Sequence, residues 1–233
     1  MKKLLLSGII LFSAGLCSFA GDAAAFVDLG ISSDGRTYAF GEYGKTDRTF
    51  QSYAEIYTVD IEKNDFVQGE VFKTNPSPQT SSKSGKALYD ELFEKASWKL
   101  RKYDFKPAKS ENLLYVRDDK KDGESEIVFK DFEGSTVEQS VFYHIQLAKT
   151  CEGSGESLRS SFFITMEKKD GDGNVISRNI VGSPDIKRKK VTDYRIDRIF
   201  SDNSGRNLVF VIEKTLSDVN GSSIRYMVET IRL

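Results

Sequence analysis

Apolar and polar residues alternate along most of the chain, a pattern that predicts half-buried β-strands. The stretch FVDLGISSDGRTYAF, residues 26–40, places two such segments on either side of the tetrapeptide Ser33-Asp34-Gly35-Arg36. Tight strand reversals favour Asp-Gly, because Gly adopts positive φ angles and Asp accepts hydrogen bonds from its own turn. Further alternating segments follow at 56–61 and 66–72. The N-terminal part therefore predicts a four-stranded antiparallel meander.

The C-terminal segment repeats this pattern. Residues 27–32 align with 196–201, the Gly35-Arg36 turn aligns with Gly205-Arg206, and residues 56–61 align with 228–233 without a gap. This repeat predicts a second, three-stranded meander. Repeat folds commonly protect their edge strands by bringing matching ends of the chain together. We therefore predict that the strand at 27–31, or its hairpin, packs in the same β assembly as residues 224–233, leaving residues 75–107 as an insertion that shields one side.

Between the two repeats, one segment predicts a helix. Residues 86–103 carry an apolar face at helical spacing, and Pro107 prevents continuation of the helix. The preceding segment, 75–85, is polar with two prolines and predicts an exposed linker. Strand patterns return at 113–117, 126–132, 140–147, 161–167 and 175–181. The predicted apolar face comprises Leu88, Leu92, Phe93, Ala96, Leu100 and Tyr103.

Two resemblances extend this picture. The stretch ISSDGRTYAFGEYG followed by AEIYTVDIEKNDFVQGEVF resembles a blade of the TolB-type β-propellers, whose repeats run strand, S-x-D-G-x turn, strand, polar loop and two further strands. The chain from AFVDLG to YMVETIRL also resembles a bacterial group of predicted secreted proteins of unknown function. The second resemblance implies no activity, cofactor or catalytic residue. Taken together, the expected fold is mainly β, with antiparallel meanders resembling propeller blades and one amphipathic helix; a β-sandwich is the alternative.

The N-terminus predicts export. A basic Met1-Lys2-Lys3, an apolar run over residues 4–16 and the small-x-small ending Ser18-Phe19-Ala20 are typical of a secretory signal peptide at 1–20. We expect a secreted or periplasmic protein without a membrane span after cleavage, and a single mainly-β domain at 21–233. Lipid attachment through Cys17 is the alternative, although Leu16 is larger than the residue that lipidation favours before the cysteine.

Charge and cysteine content exclude some classes of function. Cleavage removes two of the 34 basic residues and none of the 35 acidic ones, which leaves a slightly acidic chain. A nucleic-acid partner is therefore not expected, because such proteins need a basic surface to neutralise phosphates. Cys151 is the one cysteine left after cleavage, so no intramolecular disulfide can form. We expect it to be a small buried residue.

No combination of residues predicts a catalytic, metal or cofactor site. His144 is the single histidine, no G-x-S-x-G elbow is present, and one histidine with one cysteine makes no transition-metal cluster. The acidic turn at 170–174 lacks the glycine and glutamate that a calcium-binding EF-hand needs. We expect a binding or interaction module for an unknown envelope protein or glycan. The alternative is an envelope hydrolase that cleaves glycans with a carboxylate pair hidden among the 35 acids.

Two features are candidate contacts for a ligand or partner. Trp98 falls opposite the apolar sector of the predicted helix, where it is either an exposed binding residue or covered by another segment such as the linker. The basic run Lys187, Arg188, Lys189 and Lys190 is either a solvated loop or a contact for anionic glycans and lipid headgroups.

Overall fold

A computed structural model of the chain describes residues 22–118, 126–218 and 221–233. The predicted signal peptide, including Cys17, lies outside the described residues, and so does the dipeptide Asp122-Gly123, whose sequence is typical of a turn between strands. Thirteen strands and one α-helix, α1 (Gly85–Leu100), form the described part of the fold. The strands are β1 (Asp22–Ala23), β2 (Ala25–Ile31), β3 (Thr37–Lys45), β4 (Ser52–Asp60), β5 (Asp65–Thr74), β6 (Leu113–Val116), β7 (Ile127–Lys130), β8 (Val141–Glu152), β9 (Arg159–Asp170), β10 (Val175–Lys189), β11 (Val191–Ser201), β12 (Asn207–Asp218) and β13 (Gly221–Arg232).

The strands form three sheets. The N-terminal sheet has the order β2-β3-β4-β5, the central sheet β1-β13-β12-β11-β6, and the outer sheet β10-β9-β8-β7. Every strand pair between described residues is antiparallel except β1 with β13, which is parallel. The prediction of a mainly β fold of antiparallel meanders with one helix is confirmed.

The layers stack through three hydrophobic clusters. The central sheet packs one face on the outer sheet and the other face on the N-terminal sheet, whose far side is covered by α1. This arrangement explains why residues 208–212 of β12, Leu-Val-Phe-Val-Ile, are continuously apolar rather than alternating: all of them are buried because both faces of the strand are covered. The outer sheet and the N-terminal sheet each pack against the central sheet through one of their two faces.

The helix buries most of its predicted apolar face, but it ends at Leu100, and the predicted Tyr103 lies in the turn that follows. Ser84 caps its N-terminus by accepting from the Ala87 N–H, and a 3₁₀ turn at Arg101–Tyr103 follows its last residue. Its buried residues are Leu88, Tyr89, Leu92, Ala96 and Leu100. Phe93, placed on the apolar face by periodicity, is more than one-third exposed, and Tyr89 is buried instead because it packs close to Gly41 of β3.

The polar segment at 75–85 docks on the N-terminal sheet. The Thr80 hydroxyl donates to the Ser52 carbonyl at 2.7 Å, and the Ser52 hydroxyl donates to the Lys83 carbonyl at 2.6 Å. Thr80 is itself buried. These hydrogen bonds fix the position at which the chain enters α1.

The free edge of β13 is closed by three different groups. Residues 22–23 pair with 223–224 at one end of the strand. Farther along, the Tyr226 N–H donates to the Glu42 carboxylate at 2.7 Å, and the Thr230 N–H donates to the Asn64 side chain at 2.7 Å. Backbone donors that would otherwise pair with another strand are therefore satisfied by the N-terminal part of the chain. The first described strand, β1, thus lies in the same sheet as β13, whereas β2 belongs to the N-terminal sheet and packs against β13 without pairing with it.

Strand register defines how the two repeats correspond. Tyr38 pairs with Val59 as Leu208 pairs with Ile231, which reproduces the sequence alignment of the later strands. Before the turn, Ile31 pairs with Tyr38 as Ser201 pairs with Leu208. The first aligned block is therefore displaced by one residue, since the sequence alignment matched Ser32 to Ser201. β-Bulges in both β2 and β11 account for the ambiguity.

Candidate functional site

The two equivalent turns meet at one end of the sheets. In the β2–β3 turn, the Gly35 N–H donates to the Ser32 carbonyl at 2.9 Å; in the β11–β12 turn, the Gly205 N–H donates to the Asp202 carbonyl at 3.1 Å. Both glycines have the positive φ that this turn requires, +70° and +62°. The turns touch directly, because the Asn207 side-chain amide donates to the Gly35 carbonyl at 2.9 Å.

A third segment, residues 103–112, runs beside the first turn. Ile31 and Lys106 exchange two backbone hydrogen bonds, and the Ser33 N–H donates to the Tyr103 carbonyl. Gly30 allows this approach, since a Cβ there would lie 1.8 Å from the Lys106 carbonyl oxygen. The Asp28 carboxylate accepts from the Ala108 N–H at 2.8 Å and holds the segment in place.

Together these three segments line a groove, which we call the turn groove. Its larger cavity measures about 390 Å³, and a smaller cavity of about 140 Å³ shares Asn112, Ser201, Asp202 and Asn203 with it. Apolar contributions come from Ile31, Pro107, Ala108 and Phe200. The polar and charged side chains of the larger cavity are Ser32, Ser33, Asp34, Tyr38, Lys106, Lys109, Asn112, Ser201, Asp202, Asn203, Ser204 and Arg206.

The two acids of the larger cavity, Asp34 and Asp202, accept hydrogen bonds from their own turns; three further acids, Glu111, Asp131 and Glu133, line the smaller cavity. Asp34 accepts from the Ser32 hydroxyl at 2.6 Å and from the Arg36 N–H at 3.0 Å, and these hydrogen bonds, that of the Ser32 hydroxyl first, lower the pKa of Asp34. Asp202 accepts four hydrogen bonds, from the backbone N–H groups of Arg206 and Asn207, the Asn207 amide and the Ser204 hydroxyl. Both carboxylates therefore serve as turn acceptors.

The cations of the larger cavity, Lys106, Lys109 and Arg206, make fewer and weaker contacts within the protein than its acids do. Lys106 and Lys109 pair at 3.2 and 3.3 Å with the exposed acids Asp104 and Glu111, two residues away along the chain. Such exposed pairs contribute little and exchange readily with other anions. Arg206 donates to the Ser204 hydroxyl at 3.3 Å and makes no ion pair with any described residue.

Groups suited to acid catalysis lie outside the turn groove. Burial raises the pKa of Glu42 to about 7 and also raises the pKa of Asp28. Glu42 accepts a hydrogen bond from β13, away from the groove. Asp28 accepts hydrogen bonds from Ala108 and Tyr38, two residues that line the cavity, but does not line it itself. Among the described residues, no group of three His, Cys, Asp or Glu side chains is placed to hold a metal ion. The turn groove can thus offer hydrogen bonds and positive charge to a ligand.

The residues singled out from the sequence lie elsewhere. Trp98 is 70% exposed on the outer surface of α1, so segment 75–85 does not cover it, and Lys99 approaches its ring at 5.4 Å. The basic run is the end of the edge strand β10 and the first residue beyond it, which corrects the expectation of a loop. Lys187 pairs with Glu152, Lys190 pairs with Glu156, and Arg188 pairs with Glu229. Lys189 is exposed.

Two other side chains of interest also lie outside the turn groove. His144 on β8 has its Nδ1 3.2 Å from a Glu126 carboxylate oxygen. Cys151, near the end of β8, is a free and exposed thiol, so the expectation that it would be buried is wrong. Its strand extends beyond the outer sheet's core, which ends near Leu147.

The sequence contained one signal for the turn groove, the repeat itself. Equivalent turns of stacked meanders emerge at the same end of the sheets, so Ser33, Asp34 and Arg206 belong to one surface. The contribution of residues 106–112 had no such signal, since it depends on how the chain returns from α1 to β6.

The fold and the turn groove define a mainly β protein of three stacked sheets with a polar groove at the repeat turns. The chain belongs to the family described as predicted secreted protein (DUF2259), whose match covers residues 39–232. No curated protein and no solved structure matches the chain. In the described part of the chain, α1 is too short and too polar to cross a membrane, and no other helix qualifies.

Proposed function

We propose that this secreted protein is a binding module of the cell envelope, periplasmic or extracellular, whose ligand site is the turn groove. The observation that supports the proposal is the meeting of two repeat turns and residues 106–112 around a cavity of about 390 Å³. That volume is within the range of small-molecule sites, and the lining combines apolar floor residues with convergent polar groups. We infer a glycan or another hydroxyl-rich envelope component as the ligand.

A carboxylate-dependent hydrolase is the weaker candidate. A glycosidase needs one carboxyl group that holds its proton near neutral pH and a second that is ionised. Both acids of the larger cavity accept hydrogen bonds from their own turns, Asp34 two and Asp202 four, and those to Asp34 lower its pKa and so favour its ionised form. The turn groove thus supports binding better than hydrolysis.

The test is to block the turn groove with a large side chain. Ser33 is exposed, lines the cavity, and makes no side-chain hydrogen bond with a described residue, so Ser33→Trp fills the groove with little cost to the fold. We expect the purified protein to retain envelope polysaccharide in a pull-down and Ser33→Trp to lose retention at an unchanged melting temperature. Lys95→Trp, on the exposed side of α1, is the matched control.

Equal retention by Ser33→Trp and the unchanged protein would place the ligand site elsewhere. Trp98 and Lys187–Lys190 are the next positions to substitute in that case, because they remain predicted contacts. Release of new reducing ends from the polysaccharide, abolished by Asp34→Asn or Asp202→Asn, would establish hydrolysis instead.

A further inference from the structure

The turn groove contains a buried polar side chain with no protein partner. Asn112 is 8% exposed and lines both cavities, at the place where they join. Its backbone makes hydrogen bonds, but its side-chain amide makes none with any described residue. Because Asn112 lines both cavities, its amide is open to the groove, where water or a ligand can form hydrogen bonds with it.

The charges around Asn112 select the kind of ligand. Lys106, Lys109 and Arg206 line the same cavity as Asp34 and Asp202, so cations outnumber acids by one. The acids are satisfied by hydrogen bonds from their own turns, whereas the Arg206 guanidinium has no acid partner among the described residues. The unpaired charge of the larger cavity is therefore positive, which favours an anion there, whereas the smaller cavity is lined by the acids Glu111, Asp131 and Glu133 and by Lys130.

The remaining lining suits a saccharide. Ser33, Ser201 and Asn203 offer small polar groups around the rim, while Pro107, Ala108 and Phe200 give apolar surface for the C–H face of a ring. A bare inorganic ion would use neither set. We propose that the turn groove recognises a saccharide bearing one phosphate or carboxylate group, with Arg206 binding the anionic group and Asn112 binding a ring hydroxyl or the same anion.

This inference rests on the proposed function and is tested with defined probes. Isothermal titration of the purified protein compares glucose 6-phosphate, glucuronate, glucose and inorganic phosphate. We expect at least one charged sugar to bind about ten-fold or more tightly than glucose and than inorganic phosphate, with affinity falling as salt is added. The two charged sugars distinguish a phosphate from a carboxylate as the recognised group.

Two variants connect the result to the residues. Arg206→Gln removes the charge and should weaken the charged sugar about ten-fold or more while leaving the weak binding of glucose unchanged. Asn112→Ala should weaken the charged sugar as well. Lys95→Gln, an exposed lysine on α1, is the control for a general loss of positive charge.

The possible failures are distinguishable. If neither charged sugar binds at millimolar concentration, or if Arg206→Gln binds as tightly as the unchanged protein, the anion inference is overturned. Loss of polysaccharide retention in Ser33→Trp would still support the proposed function in that case. Normal retention by Ser33→Trp would contradict both proposals at once.

Discussion

Glu42 couples the stability of the fold to pH. Its side chain on β3 is 1% exposed and accepts the Tyr226 N–H at 2.7 Å, which joins the N-terminal sheet to the free edge of β13. Burial raises the pKa of Glu42 to about 7. The nearby cations Lys214 and Arg225 and the Tyr226 N–H oppose this rise, and the Glu55 charge adds to it. The same burial lowers the pKa of Lys214.

The magnitude follows from the difference between the folded and unfolded states. A pKa of about 7 against a reference value of 4.5 means that the folded state binds the Glu42 proton more tightly. At about 1.4 kcal/mol per unit, Glu42 contributes roughly 3 kcal/mol of stability when protonated in both states. This contribution is fully present below pH 4.5 and is lost as the pH rises through 7.

Glu42→Gln isolates this effect. Gln keeps an oxygen that can accept the Tyr226 N–H, but it does not ionise. We compare the free energies of unfolding of Glu42→Gln and of the unchanged protein by urea unfolding at a series of pH values. We expect the difference between them to move in favour of Glu42→Gln by about 3 kcal/mol as the pH is raised from 4.5 to 8.5. Taking the difference between the two proteins removes the pH dependence of distant acids. Asp185→Asn, at an exposed acid, is the matched control for replacing a carboxylate by an amide.

A flat Glu42→Gln difference across this pH range would refute the reasoning, since it would mean that Glu42 titrates alike in both states. A difference that fell with pH would also refute it, because the folded pKa would then be lower than the unfolded one. Lys214→Gln, compared in the same way, shows how far the neighbouring ammonium group moderates the effect.

Two further predictions concern the turn groove and are measured by thermal unfolding. Gly30→Ala should destabilise far more than Gly173→Ala, although both positions have positive φ, because only at Gly30 does a Cβ meet backbone, the Lys106 carbonyl. We expect about 1 kcal/mol for Gly173→Ala and roughly three times that or more for Gly30→Ala, and equal costs would contradict the close approach. Asn207→Ala should cost about 2 kcal/mol by removing its hydrogen bonds to Gly35 and Asp202, whereas Asn203→Ala, in the same turn without a side-chain hydrogen bond to a described residue, should be near neutral.

Hydrophobic periodicity predicted most elements of this fold, but it missed the short β1 and the extension of β10 into the basic run. Every strand pattern in the middle of the chain corresponds to a strand, and four residues of the predicted apolar face are among the five that α1 buries on the N-terminal sheet. Periodicity reports which side of an element is buried. It carries no information about which sheet covers that side, so the stacking of three sheets, with the central one buried on both faces, was not predictable.

The partners of charged side chains could not be predicted from the sequence for a related reason. The basic run at Lys187–Lys190 appears as concentrated charge, yet three of its four side chains pair with acids that are between 34 and 41 residues away along the chain. Such pairings depend on tertiary register. Trp98 could be placed correctly on the side of the helix opposite the apolar sector, because helical geometry alone determines that position.

The divergence of the two turns explains why a groove exists between them. Ser32 anchors the first turn and Asp202 occupies the equivalent position in the second, where its larger carboxylate accepts the Asn207 amide. Thr37 stands where the second copy has Asn207, and only the longer Asn side chain reaches across to the Gly35 carbonyl. The second turn therefore binds the first through the Asn207 side chain, and Thr37, the equivalent residue of the first copy, is too short to make the corresponding hydrogen bond. The asymmetry holds the turns together on one side, and residues 106–112 line the other side, where Arg206 and Asn112 face the open groove.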